Sequence, residues 1–108
     1  MMRVIYIAGP YRAETKAGIA HNIKHAREAA VRMWQEGYAV FCPHMNTAWF
    51  DGVVPDVTFL LGDIEILSRC DSIYLLKGFD KSVGARREYA VARKLKLEII
   101  FEGLKEDF

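Results

Sequence analysis

The stretch Val4-Ile5-Tyr6-Ile7-Ala8-Gly9-Pro10-Tyr11-Arg12 decides how this chain folds. Its first five residues form a continuous apolar and aromatic run, which is typical of a strand buried on both faces of a sheet. The pair Gly9-Pro10 then ends the strand in a turn. The run is too short for a signal peptide or a membrane span, so we interpret it as the first strand of a folded domain.

The rest of the chain alternates between helical and strand patterns. A first helix is indicated by apolar residues at helical spacing, which are Ile19, Ile23, Ala26, Ala30 and Met33, and Gly37 is its stop. The patterns predict strands over residues 4–8, 38–42, 72–76 and 97–101, and helices over 16–36, 56–69 and 85–96. Asp56 is the expected cap of the second helix, and residues 44–55 and 78–84 are predicted to be irregular.

This alternation predicts an α/β fold in a single domain over residues 1–108. We expect a three-layer arrangement in which a parallel sheet of about four to five strands is covered by helices on both faces, as in flavodoxin-like and Rossmann-like proteins. Ligands of such sheets bind beyond the carboxyl ends of the strands. The segments that leave the first three strands hold glycines, an arginine, a histidine and a serine, whereas the opposite ends are plainer. We therefore expect the site at the carboxyl ends.

Composition narrows the classes of function. Charged residues make up 27% of the chain and the formal net charge is +1, so the balance indicates neither a nucleic acid polymer nor a membrane surface as partner. Cys42 and Cys70 make no disulfide framework, which predicts a cytoplasmic protein. His21 and His25 lack the glutamate of a zinc protease motif, and Cys42 beside His44 is expected to point into the sheet. We predict no metal.

Two acidic residues lie against apolar helix faces. Glu88 shares a face with Val91 and Leu95 near the start of the third helix, where the helix dipole favours an anion and burial raises a carboxyl pKa. Asp63 lies among apolar residues at helical spacing on the second helix. Each acid is a candidate for catalysis, and each can equally be a solvated residue on the flank of its helix.

Two strand-to-helix turns are candidates for binding an anion. Ser82-Val83-Gly84 leads into the third helix, whose first N–H groups have no partner within the helix. The second turn runs from Gly9 to Arg12 and carries a cation, although arginine is also common on ordinary surfaces. His44 is a candidate base or ring contact, or a hydrogen-bonded loop histidine. The chain has no Walker motif and no G-x-G-x-x-G, which disfavours ATP hydrolysis and dinucleotide binding.

Four segments together resemble the nucleoside 2-deoxyribosyltransferase superfamily, and within it the deoxynucleoside 5′-monophosphate N-hydrolases most. They are I-Y-I-A-G-P-Y-R at 5–12, C-P-H at 42–44, D-I-E-I-L-S-R-C-D at 63–71 and S-V-G-A-R-R-E at 82–88. They cover nearly the whole chain in the expected order. The resemblance implies an N-glycosidase that cleaves the base–sugar bond of a (deoxy)nucleoside 5′-monophosphate. A 2-deoxyribosyltransferase and a non-catalytic nucleotide-binding module are the alternatives.

The resemblance also implies roles for individual residues. Glu88 corresponds to the catalytic nucleophile, Tyr6 to the tyrosine that orients it, and Asp63 to the acid that protonates the leaving base. His44 matches a residue near the base, and the phosphate-binding positions are Gly9, Arg12, Ser82 and Gly84. The transferases carry an aspartate where this chain has Ser82, and because a carboxylate there would repel a phosphate, the serine favours a 5′-phosphate. The resemblance implies no cofactor.

The second predicted helix carries apolar residues on two faces. One face holds Val57, Leu60, Leu61, Ile64 and Leu67, and the other holds Phe59 and Ile66. A single sheet can cover one of these faces. We therefore predict a homodimer or higher homo-oligomer that uses the second face, as the resemblance also implies.

Overall fold

A four-stranded parallel sheet in the order β2-β1-β3-β4 forms the centre of the computed structural model, which describes residues 1–103. The strands are β1 (Val4–Ala8), β2 (Ala39–Phe41), β3 (Ser72–Leu75) and β4 (Glu98–Phe101). The helices are α1 (Lys16–Gln35), α2 (Pro43–Asn46), α3 (Asp56–Leu67) and α4 (Val83–Lys94), and a 3₁₀ turn covers Phe79–Lys81. The predicted α/β fold with a parallel sheet is confirmed. The domain predicted over residues 1–108 includes residues 104–108, which lie outside the described residues.

The side chains of β1 alternate between two hydrophobic cores, one on each face of the sheet. Ile5 and Ile7 lie in the core that α1 covers. Tyr6 and Ala8 lie in the core that α3 and α4 cover. Since side chains alternate along a strand, this parity places Tyr6 on the same side of the sheet as the helix that carries Glu88.

The buried face of α1 consists mostly of small side chains, which let the helix lie close to the sheet. Its buried residues are Ala26, Ala29, Ala30 and Met33. Ile19 and Ile23, also predicted for the inner stripe, are half-buried. A helix of 20 residues is about 30 Å long and a strand of five residues about 17 Å, so the first turns of α1 extend past the sheet.

The predicted helix boundaries need two corrections near the turns. Residues 43–46, most of which were expected to be irregular, form the short helix α2, because proline suits the first position of a helix. α4 begins at Val83 rather than at Ala85. The Ser82 hydroxyl oxygen accepts a hydrogen bond from the backbone N–H of Ala85 at 3.2 Å and so caps the helix earlier.

The apolar faces of α3 are arranged differently from the prediction. Leu67 is fully buried, and Ile66 packs half-buried against the core although it was predicted to face outward. Val57 and Leu61, predicted to face inward, are 56% and 63% exposed. The predicted interface face is therefore wrong, because the first half of α3 borders a cavity and its last turns reach the core. A homo-oligomer stays a prediction.

Three further features of the described chain bear on the class of protein. Among residues 1–103, none of the helices has the length and apolar character that a membrane crossing requires. Within the same range no three His, Cys, Asp or Glu side chains are grouped in a way that could hold a metal ion. Cys42 and Cys70 are buried free thiols.

Candidate active site

A cavity of about 660 Å³ lies beyond the carboxyl ends of the strands. The turn after β1, the helix α2, the first half of α3 and the start of α4 form its wall. Neighbouring β1 and β3 lead into helices on opposite faces of the sheet, which is where ligands bind in open parallel sheets. The cavity is lined by all the predicted site residues except Tyr6, namely Gly9, Arg12, His44, Asp63, Ser82, Gly84 and Glu88.

Glu88 is a carboxyl group held almost out of water. It is 8% exposed, and the Tyr6 hydroxyl donates a hydrogen bond to its Oε2. Burial raises the pKa of Glu88 to about 7, the hydrogen bond from Tyr6 opposes the rise, and the Asp63 carboxylate adds to it. Near neutral pH, Glu88 is therefore divided between its acid and carboxylate forms.

Tyr6 fixes one oxygen of Glu88 from beneath the cavity. Its side chain has no solvent exposure, and burial, followed by the charges of Glu88 and Asp63, raises its pKa far above the ordinary value. The phenol therefore keeps its proton and acts as a donor. Its ring packs on Phe41 of β2 with 5.7 Å between ring centroids, which restricts rotation. Among residues 1–103, no second group donates to Glu88, so its other oxygen is left for a ligand.

Asp63 is the second carboxyl group of the cavity, and it comes from α3. Its side chain is half-buried, and burial raises its pKa to about 6. Within the described residues it has neither a hydrogen bond nor an ion pair. Asp63 and Glu88 thus titrate near neutrality in one cavity, an arrangement that favours proton transfer and charge stabilisation at functional sites.

His44 is fixed in the cavity wall by the start of α2. Its ring is 4% exposed, and Nε2–H donates to the backbone carbonyl of Pro10 at 2.8 Å. Burial lowers the pKa of His44, so the ring is neutral and its Nδ1 is an acceptor. Nδ1 of His44 is buried and has no hydrogen-bond partner among residues 1–103. The ring therefore suits a contact with a ligand donor better than it suits a cationic role.

The structure explains the two glycines of the predicted phosphate site, Gly9 and Gly84, in different ways. A Cβ at Gly84 would meet nothing closer than the Ser82 hydroxyl at 4.0 Å, so the backbone there is open to the cavity. A Cβ at Gly9 would lie 2.6 Å from the side chain of Leu76. The packing of β1 against the segment after β3 therefore accounts for Gly9 without a ligand.

Arg12 lies at the cavity but already has an acidic partner. Its guanidinium is 2.6 Å from Oδ2 of Asp56, the first residue of α3, and the two side chains are 69% and 72% exposed. Such an exposed ion pair contributes about 1 kcal/mol or less, so a ligand could displace it. The sequence predicted the position of Arg12 and missed its partner, because Asp56 was assigned to capping.

Several further cavity residues were not predicted, among them Tyr11, Lys81 and Arg87. The helical spacing could have shown Arg87, because it lies one turn after Gly84 on the same side of α4. Tyr11 packs against His44 with 6.0 Å between ring centroids, and its hydroxyl accepts a hydrogen bond from a backbone N–H at 3.1 Å. That N–H belongs to the irregular segment 47–55, whose approach to the cavity no periodic pattern indicated.

The comparison with solved structures agrees with this fold, whereas the comparison with curated sequences finds no match. Among solved structures, the 2-deoxyribosyltransferase from Bacillus psychrosaccharolyticus is similar with a TM-score of 0.69 and 20% identity, over 91% of this chain and 70% of that one. A 2-deoxyribosyltransferase from Leishmania mexicana gives a TM-score of 0.63 and 20% identity, over 92% and 63% of the two chains. At this identity the likeness shows the fold.

A family model covers most of the sequence. It matches residues 3–101, a range that contains every residue assigned to the cavity, and its description is a domain of unknown function, DUF4406. The chain therefore belongs to the DUF4406 family.

Proposed function

We propose that the chain cleaves the N-glycosidic bond of a (deoxy)nucleoside 5′-monophosphate, with water as the acceptor. One observation carries the proposal. Glu88 and Asp63, two carboxyl groups whose pKa values are raised by burial, line the same cavity, and the buried Tyr6 donates to Glu88. Paired carboxyl groups of this kind are the machinery of retaining glycosidases.

The proposed reaction has two steps. The Glu88 carboxylate attacks C1′ of the sugar while the bond from C1′ to the base nitrogen breaks, and that nitrogen takes the proton of Asp63. Water then attacks C1′ of the glycosyl ester, passes a proton to the Asp63 carboxylate and releases Glu88. The reaction needs an ionised Glu88 and a protonated Asp63. Because the pKa of Glu88 is about 7 and that of Asp63 about 6, this is the less populated of the two singly protonated states of the pair near neutral pH.

The assignment of a monophosphate rests on the first turn of α4 and on its cap Ser82. Gly84 leaves the backbone open to the cavity, and the first N–H groups of a 12-residue helix favour an anion. Ser82 supplies a hydroxyl at this point and no charge that would repel a phosphate. Cations also line this cavity, and they are Arg12, Lys81 and Arg87.

Base exchange is the second candidate. It is favoured by the names of two structurally similar proteins, which are both 2-deoxyribosyltransferases. In that reaction a second base, rather than water, would take the sugar from the Glu88 ester. The same carboxyl groups serve both reactions, so the acceptor distinguishes them.

A reversed-phase assay of wild-type protein and Glu88→Gln tests the proposal. The panel contains the common ribo- and deoxyribonucleoside 5′-monophosphates and their nucleosides, each with and without an added free base. We expect free base from a monophosphate in the absence of an added base, and none from the variant. Products that require an added base would establish the transferase. A thermal shift without products would establish a binding module, and neither products nor a shift would contradict a nucleotide ligand.

A further inference from the structure

We propose that Arg87 is the main cation for the 5′-phosphate, ahead of Arg12, which is already paired with Asp56. The inference rests on the proposed function, because it assigns a residue to the phosphate end of the same cavity. Its support comes from where Arg87 lies on α4 and from which cations of the cavity are already paired.

The position of Arg87 on α4 directs its side chain to the turn that would bind the phosphate. Arg87 lines the cavity and follows Val83 and Gly84 by four and three residues, so all three share one side of the helix. Helical side chains lean toward the helix N-terminus. This lean would carry the guanidinium toward the open backbone of Gly84, where α4 presents its first N–H groups.

The cations of the cavity differ in their partners. Arg12 forms its 2.6 Å ion pair with Asp56, so a phosphate that approaches Arg12 meets a carboxylate at the same place. Arg87 and Lys81 make no ion pair with any residue from 1 to 103. In sequence they stand on either side of residues 82–84. A phosphate can therefore bind there without displacing an ion-pair partner of either cation.

This placement is consistent with the position of the nucleophile. Gly84 and Glu88 are four residues apart on α4, which corresponds to a rise of about 6 Å along the helix. A sugar attached to a phosphate at the first turn of α4 would therefore lie next to Glu88, one turn further along the same helix. A phosphate at Arg12 would instead lie beside the first residue of α3, on a different wall of the cavity.

The chain offers a matched control in Arg86. It is the neighbour of Arg87, carries the same charge and is exposed, but it does not line the cavity. Arg86→Ala and Arg87→Ala therefore change the net charge equally, and they differ in whether the lost guanidinium faces the cavity.

The experiment measures the preference for a monophosphate over its nucleoside. Dissociation constants are determined calorimetrically for the four deoxynucleoside 5′-monophosphates and their nucleosides, in a Glu88→Gln background that prevents turnover. We expect Arg87→Ala to lower the preference about 10- to 100-fold, as loss of a charge-assisted hydrogen bond would. Arg86→Ala should change it less than about threefold, Arg12→Ala should fall between them, and Arg87→Lys should restore part of it.

The outcomes separate this inference from the proposed function. Equal effects of Arg86→Ala and Arg87→Ala, a larger effect of Arg12→Ala, or no preference for monophosphates would each overturn the role of Arg87. Release of base by wild-type protein is measured independently. An active enzyme with an unimportant Arg87 would refute the inference alone, and an inactive protein with an Arg87-dependent preference would refute hydrolysis alone.

Discussion

Two glutamates, Glu88 and Glu98, lie at opposite ends of the sheet in opposite environments. Glu98 begins β4 at the amino end, where its Oε1 accepts hydrogen bonds from Ser72 at 2.6 Å and from Tyr38 and Arg3 at 3.3 Å. These donors, Ser72 first, hold its pKa below the ordinary value. Glu88, beyond the carboxyl ends, has one donor, and burial raises its pKa.

The difference contrasts an end of the sheet where the charged form of a carboxyl group is stabilised with an end where it is not. The amino end surrounds a half-exposed carboxylate with donors, which stabilises the charged form. The carboxyl end keeps a buried carboxyl group with a single donor and leaves Nδ1 of His44 without a partner among residues 1–103. Buried polar groups that are incompletely satisfied cost stability, and they are concentrated at functional sites.

The largest expected effect is on turnover. Glu88→Gln keeps the size of the side chain and removes the charge that meets C1′, so kcat should fall by several orders of magnitude while ligand binding stays nearly intact. Glu98→Gln makes the same chemical change at the other end of the sheet and should leave kcat close to the wild-type value. Single-turnover release of base from the best substrate of the panel measures both.

Both variants are checked for correct folding, so that a loss of turnover is not caused by unfolding. Circular dichroism and a thermal shift with nucleotide should show that both variants are folded and that both bind. Near wild-type turnover of Glu88→Gln would exclude the mechanism, and an equal loss in Glu98→Gln would mean that the charge acts at long range rather than at the sugar.

A smaller loss is expected at Asp63. Asp63→Asn removes the proton donated to the leaving base, and general acid catalysis contributes typically ~10²–10⁴-fold. The defect should shrink with a 7-methylpurine nucleotide, whose base leaves without protonation, whereas the Glu88→Gln defect should not. The measurement compares kcat for the methylated and unmethylated substrates. If the Asp63→Asn defect is equal on both, Asp63 does not act as the acid.

The sequence predicted the parts of the fold that depend on local pattern. The apolar run of β1 and the alternation of helices and strands predicted the sheet, and the rule on carboxyl ends predicted that the segments with Arg12, His44 and Ser82 lie together, as they do in the cavity. The alternation along β1 also indicates that Tyr6 faces away from residues 5 and 7, whereas the structure was needed to show that the helix of Glu88 covers that face.

The remaining features depend on tertiary contacts that no local pattern encodes. α3 is apolar on more than one side, so its rotation is set by where the sheet ends and the cavity begins. Its first half borders the cavity at Val57 and Phe59, leaves Leu61 exposed and brings Asp56 to Arg12. The position of segment 47–55 also depends on a tertiary contact, because its hydrogen bond to Tyr11 joins residues 38 positions apart.

The smallest effect is on stability, and it has opposite signs at the two glutamates. The pKa of Glu88 rises from an ordinary 4.5 to about 7 on folding, so folding favours its protonated form. That contribution is fully present below pH 4.5 and is lost as the pH rises through 7. Removing the charge should therefore stabilise the protein at high pH. Glu88→Gln should gain on the order of 3 kcal/mol in unfolding free energy between pH 4 and pH 8 relative to wild type.

Glu98 provides the opposite case. Its pKa is lowered on folding, so its contribution is present above pH 4.5 and is lost in acid. Because its side chain is 42% exposed, Glu98→Gln should destabilise the protein by about 1 kcal/mol or less at pH 7, and the difference should close toward pH 3. Urea unfolding of the two variants and wild type from pH 3 to pH 8 should give two different curves of variant minus wild type. The difference in unfolding free energy should rise above pH 4.5 for Glu88→Gln and should fall between pH 3 and pH 4.5 for Glu98→Gln. A flat curve for Glu88→Gln would show that folding does not raise the pKa of Glu88 and that its carboxyl group is not held out of water.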